Sequence, residues 1–83
     1  MNKIMVEVYL PAAGKSYDVR IPGTVRIGEI IPLLEGCMAE LEAGYFVTGK
    51  DTVLCDKNTG LALDVNLTPS EMGILNGTKL MMI

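Results

Sequence analysis

In IMVEVYLP, apolar side chains at Ile4, Val6, Val8 and Leu10 alternate with Met5, Glu7 and Tyr9. That period of two marks a strand with one face turned to a core. PAAGK then supplies proline and glycine for a turn, and SYDVRIP alternates again, with Tyr17, Val19 and Ile21 on one face. Two alternating runs joined by a short turn predict a β-hairpin.

The period changes in GTVRIGEIIPLLEGCMAELEAG. Ile27, Ile30, Ile31, Leu34, Cys37, Met38 and Leu41 recur at helical spacing and form one apolar stripe, with Glu29, Gly36 and Glu40 opposite. Thr24 is the expected N-cap and Gly44 the expected C-terminal stop. Pro32 removes one helical hydrogen bond and presses on the carbonyl four residues back. It lies opposite the stripe, and Gly28 gives the backbone there freedom to adjust, so the pattern predicts one kinked helix, with two short helices as the alternative.

Beyond Gly44, Tyr45–Val47 and Thr52–Cys55 are short apolar runs around a Gly49-Lys50-Asp51 turn. KNTG reads as a further turn and LALDV as a possible short strand. LTPSEMGI predicts a helical turn capped by Thr68 with Pro69 at its first position. Thr78–Ile83 then reads as a final strand behind an Asn76-Gly77 turn. The resulting order is β-β-α-β-(β)-short helix-β, an α+β domain whose single helix must lay its stripe on one face of the sheet. The inward set is therefore Ile4, Val6, Val8, Tyr17, Val19, Ile21, the helix stripe, Leu80 and Met82.

With 83 residues the chain is long enough for one domain, 1–83, and too short for two. Its 49% apolar and 20% charged residues are those of a globular protein, with an aliphatic core in which six methionines add adaptability. A net charge of −3 with no basic run leaves no electrostatic footprint for nucleic acid. The N-terminal apolar stretch, interrupted by Glu7, is too short for a signal core or a membrane span, which makes a cytoplasmic location the expectation. There is no histidine to act as a general base or metal ligand. Cys37 and Cys55 read as small buried hydrophobes. The segment from Asp56 opens like a calcium loop, but Leu61 and Leu67 stand where such a loop needs its glycine and its bidentate glutamate. Asn66 and Asn76 begin glycosylation sequons and are read as turn residues. The sequence suggests no catalytic residues, no cofactor and no metal.

From Leu67 to Ile83 the pattern L-x5-G-I-x-N-G-x-K-L-x-x-I, together with the element order, resembles the ubiquitin-like β-grasp superfamily. That resemblance implies a mixed four- to five-stranded sheet on one helix, with the last strand parallel to the first at the centre. Within the superfamily the chain looks most like the YukD/EsaB-type ubiquitin-like proteins of bacterial type VII (ESX-type) secretion. The matching features are its length, YDVRIPGTVRIGEII entering the helix and GYFV leaving it. Pro32 and the long TGKDTVLCDKNTGLALDVN segment depart from that pattern.

The resemblance implies a non-catalytic adaptor or regulator with a protein partner such as a secretion-system component. Ubiquitin-like modifiers and sulfur carriers work through a flexible Gly-Gly tail that can thread a narrow enzyme channel. The sequence given closes on LMMI, so conjugation is not expected. If Leu80 and Met82 face the helix, then Met5, Tyr9, Met81 and Ile83 share the opposite face, and this apolar set is the expected protein-interaction site or homodimer contact. The exposed backbone edges of the second strand and of the segment near Thr52–Cys55 are further candidates, by strand addition. A sulfur-carrier-like partner of an activating enzyme and a structural homo-oligomer remain as alternative classes.

Overall fold

The computed structural model describes residues 3–42 and 52–83. Strands β1 (Lys3–Leu10) and β2 (Lys15–Pro22) form the hairpin. They are followed by helix α1 (Ile27–Leu41), the short strand β3 (Leu54–Asp56) and strand β4 (Lys79–Met82). The sheet order is β2-β1-β4-β3, with β4 parallel to β1 and the other neighbours antiparallel. This is the expected mixed α+β sheet with the last strand beside the first. The hairpin closes at Gly14, whose φ of 64° suits a residue without a side chain.

One face of the sheet carries the core. Val6, Val8, Leu10, Ile21, Leu80 and Met82 are buried against Ile27, Ile30, Leu34 and Met38 of α1, with Leu54 and Ile74 closing the cluster. Ile4, Tyr17 and Val19 pack against it while half-buried, so the expected inward set holds for the strands. Two positions of the helical stripe do not follow. Cys37 is exposed, and Leu41 is 52% exposed. At 100° per residue, Cys37 points about 60° away from the mean direction of the four buried helical residues. Leu41 falls about one turn beyond Met38, the last buried residue of α1. Cys55 is buried as expected.

Helix α1 runs through Pro32 as one element. Its start differs from the expected Thr24 cap. The cap position is Arg26, with extended backbone and no side-chain cap bond. Instead the N–H groups of Ile27 and Gly28 donate to the carbonyls of Leu67 and Val65, at 2.8 and 3.0 Å. A segment about forty residues further along thus satisfies donors that a helix end leaves open. Gly28 permits that approach, because a Cβ there would sit 3.2 Å from the Val65 oxygen.

The TPSE segment is a hydrogen-bonded turn rather than a helix, but Thr68 caps it as expected, and Glu71 adds a reciprocal bond that the sequence reading did not include. The Thr68 hydroxyl accepts from the Glu71 N–H, and the Glu71 carboxylate accepts from the Thr68 N–H. The Ser70 N–H donates to the Gly23 carbonyl, fastening this turn to the β2–α1 connection. LALDV contributes only an isolated bridge, Ala62 to Cys55, rather than a strand. Tyr45–Val47, the Gly44 stop and the Gly49-Lys50-Asp51 turn lie outside the described residues.

Candidate functional site

The alternation that buries Leu80 and Met82 puts Lys79 and Met81 on the other face of β4. Pairing then sets the rows across that outer face, because directly opposed residues share a side. Cys55, Met81, Tyr9 and Ser16 form one row. Val53 and Ile83 form the row above it, exchanging backbone bonds of 2.7 and 2.9 Å. Lys79, Glu7 and Asp18 form the row below, followed by Met5 beside Arg20.

All four expected residues, Met5, Tyr9, Met81 and Ile83, therefore lie on this face, but they do not form one continuous set. The charged Glu7–Lys79 row separates Met5 from Tyr9. Met5 lies instead beside the Asn76-Gly77 turn: its N–H donates to the Asn76 side chain at 2.9 Å, and its carbonyl accepts from Gly77. The contiguous apolar group is Tyr9, Met81 and Ile83, joined by Val53, which the sequence reading missed. The signal was available, since Val53 alternates with the inward Leu54.

Burial grades this group. Ile83 is 59% exposed and Val53 36%, whereas Tyr9 and Met81 are half-buried. The Lys57 ammonium stands 4.6 Å from the centre of the Tyr9 ring, where the ring's negative face attracts it. Its aliphatic stem adds cover at the polar margin of the group. Cys55 shares the Met81 row yet is buried, with the bridged residue Ala62 on its far side.

On the opposite side of the molecule, the Tyr17 hydroxyl donates to the Glu42 carboxylate, tying β2 to the end of α1. That bond, with smaller contributions from desolvation and the carboxylate charge, pushes the Tyr17 pKa up. Lys15 lies 4.0 Å from the same carboxylate. The Glu35 carboxylate accepts from the Thr52 hydroxyl at 2.7 Å and so links α1 to the approach to β3.

The residues that opened the calcium-like motif and the sequons are occupied in turns. Asp56 accepts from the N–H groups of Asn58 and Thr59, and Asp64 from that of Asn66. Among the described residues, no group of three or more His, Cys, Asp or Glu is placed to hold a metal ion. No helix among them is long and apolar enough to cross a membrane.

Solved structures with this fold include the ubiquitin-like domain of the type VII secretion system protein ECCD1 of Mycobacterium tuberculosis. It aligns at a TM-score of 0.82 and 15% identity over 100% of this chain and 99% of that one. The EccD5 ubiquitin-like domain from Mycobacterium xenopi aligns at 0.74 and 19%, covering 100% and 94%. A chain of the MycP5-free ESX-5 inner membrane complex aligns at 0.73 and 18%; all of this chain is covered but only 21% of that one. These likenesses establish a ubiquitin-like β-grasp fold. A search of the curated proteins gives no match. The family model described as "WXG100 protein secretion system (Wss), protein YukD" matches residues 4–82, nearly the whole sequence. The chain thus belongs to the YukD family of ubiquitin-like proteins, related to components of type VII secretion systems.

Proposed function

We propose that this protein is a non-catalytic docking module of a type VII (ESX-type) secretion apparatus, acting on its cytoplasmic side as an adaptor or regulator. The outer sheet face would meet the partner through Tyr9, Met81, Ile83 and Val53, with Met5 as a separate contact beyond the charged row. The carrying observation is the joining of exposed Ile83 and Val53 to half-buried Met81 and Tyr9 on a face that α1 does not cover. Lys57, Lys79, Glu7 and Asp18 border this group and supply a polar rim, the usual surround of an apolar contact.

The Ile83 carbonyl accepts from Val53 at 2.7 Å, so the backbone at this end of the apolar group is held in the sheet ladder. The test is binding of the wild-type chain and of Met81→Glu to the cytoplasmic part of the secretion membrane complex from the same organism. The expected result is capture by wild type and loss of at least about tenfold in affinity for the variant, a typical consequence of truncating a central contact. Undiminished binding by the variant rejects this surface. An adenylated or thiocarboxylated species in intact-mass analysis would instead establish the carrier reading.

A further inference from the structure

We infer that the outer edge of β2, which none of the described strands pairs with, pairs antiparallel with β2 of a second copy of this chain, centred on Val19, so that two four-stranded sheets become one. This concerns a different surface from the outer-face patch and does not rest on the proposed function.

The ladder determines which groups the edge offers. On β1, the Glu7 N–H donates to Thr78 and the Met5 carbonyl accepts from Gly77, so the odd residues of β1 bond toward β4. The even residues Ile4, Val6, Val8 and Leu10 therefore bond toward β2, where their partners are Ile21, Val19, Tyr17 and Lys15. That leaves the N–H and carbonyl groups of Ser16, Asp18 and Arg20, with the carbonyl of Pro22, along the outer edge of β2. All three of these residues are exposed. Eight residues make β2 a long edge, and such edges are ordinarily protected by charge, proline or cover.

Here the charges select a partner. An antiparallel pairing centred on Asp18 sets that carboxylate against its own copy, and one centred on Arg20 does the same with two guanidinium groups. Centring on Val19 instead brings each Asp18 opposite the other copy's Arg20. In that register Asp18 and Arg20 exchange backbone bonds across the seam, and Ser16 donates to the Pro22 carbonyl. Pro22 lacks an N–H but sits at the end of the pairing, where this costs least. On the inner side Val19 meets Val19 and Tyr17 meets Ile21. The two-fold arrangement is self-complementary, as a closed dimer requires.

Within one chain the surroundings of Asp18 are unfavourable. Its cross-strand neighbour on β1 is Glu7, a like charge directly opposite, which is unfavourable. Among the described residues neither Asp18 nor Arg20 forms an ion pair within the chain; the pair present is Lys15–Glu42. The second copy's Arg20 supplies a cation.

Sedimentation equilibrium of the full chain over a dilution series tests this, using Asp18→Arg, Arg20→Asp and Met81→Glu. Wild type and Met81→Glu are expected to dimerise alike, more weakly in high salt. Each charge reversal alone puts like charges together in both symmetric pairs and should raise the dissociation constant at least about tenfold. An equimolar mixture of the two reversed chains restores every opposite pair and should recover dimers, which also excludes misfolding as the cause of the loss. The inference is overturned if the wild-type chain stays monomeric up to about 1 mM. It is equally overturned if a dimer forms that ignores both reversals, or one that Met81→Glu abolishes, since the contact would then lie elsewhere.

Discussion

Met81 and Met82 are adjacent in sequence and occupy opposite worlds. Met82 is 1% exposed, packed with Leu80, Val6 and Val8 beneath α1, while Met81 is half-buried on the face that α1 leaves open. The strand period of two separates a residue the fold needs from one it can spare. Comparing the two faces shows that hydrophobicity alone does not assign a role. The helix on one side turns apolar side chains into core; on the other, the same kind of side chain stays outside it, half-buried.

The same substitution at these neighbouring positions is the strongest way to break that comparison. Met82→Glu places a carboxylate in a core where none of the described charged residues is buried, at a cost of several kcal/mol. Against a total stability of about 5–15 kcal/mol, the variant should be largely unfolded or strongly destabilised in thermal denaturation. Met81→Glu should change stability by no more than about 1 kcal/mol, or about 4–8 °C in Tm. Equal sensitivity of the two variants would mean that the outer face is as structural as the inner one.

A smaller effect concerns the core itself. Leu80→Ala removes a fully buried side chain and should cost about 2–5 kcal/mol, read from denaturant midpoints. Smaller again is the contribution of the turn that braces the helix-covered side. Thr68→Ala removes the hydroxyl that accepts from Glu71 and should cost about 1 kcal/mol. Amide exchange should quicken at Ile27 and Gly28, whose N–H groups depend on the neighbouring Val65–Leu67 carbonyls, more than in β1.

The smallest effect appears only in alkali. Tyr17 is a hydroxyl donor to Glu42, and its folded pKa is raised above the ordinary value of about 10. A raised value means that the protonated form is favoured by folding. The associated stability is therefore complete below about pH 10 and is lost as pH rises through the folded value. Tyr17→Phe should narrow its stability difference from wild type above about pH 10, and the wild-type phenol should titrate late by ultraviolet absorbance.

Alternation in Ile4–Leu10 and Tyr17–Ile21, and the helical spacing from Ile27 to Met38, were sufficient to identify the hairpin, the helix and its covered face. These are local regularities that arise wherever one side of an element is buried. The Thr68 cap was legible for the same reason, because its hydroxyl and the N–H that it accepts from lie within one turn. The face shared by Met5, Tyr9, Met81 and Ile83 followed from parity once β4 was set beside β1.

Only the tertiary structure decided the rest. The start of α1 is fixed by carbonyls of Val65 and Leu67, a partnership no local preference for Thr24 could reveal. Cys37 lies on the exposed flank of its helix because the sheet covers a narrower arc than the apolar stripe. Glu7 stands between Met5 and Tyr9 by strand parity alone, but the Lys79 that completes the charged row is set beside it by the parallel register of two distant strands. Sequence specifies periods, which are properties of a few consecutive residues. Cross-strand rows and helix caps join residues far apart in the chain, so their positions emerge only when the sheet has chosen its order and register.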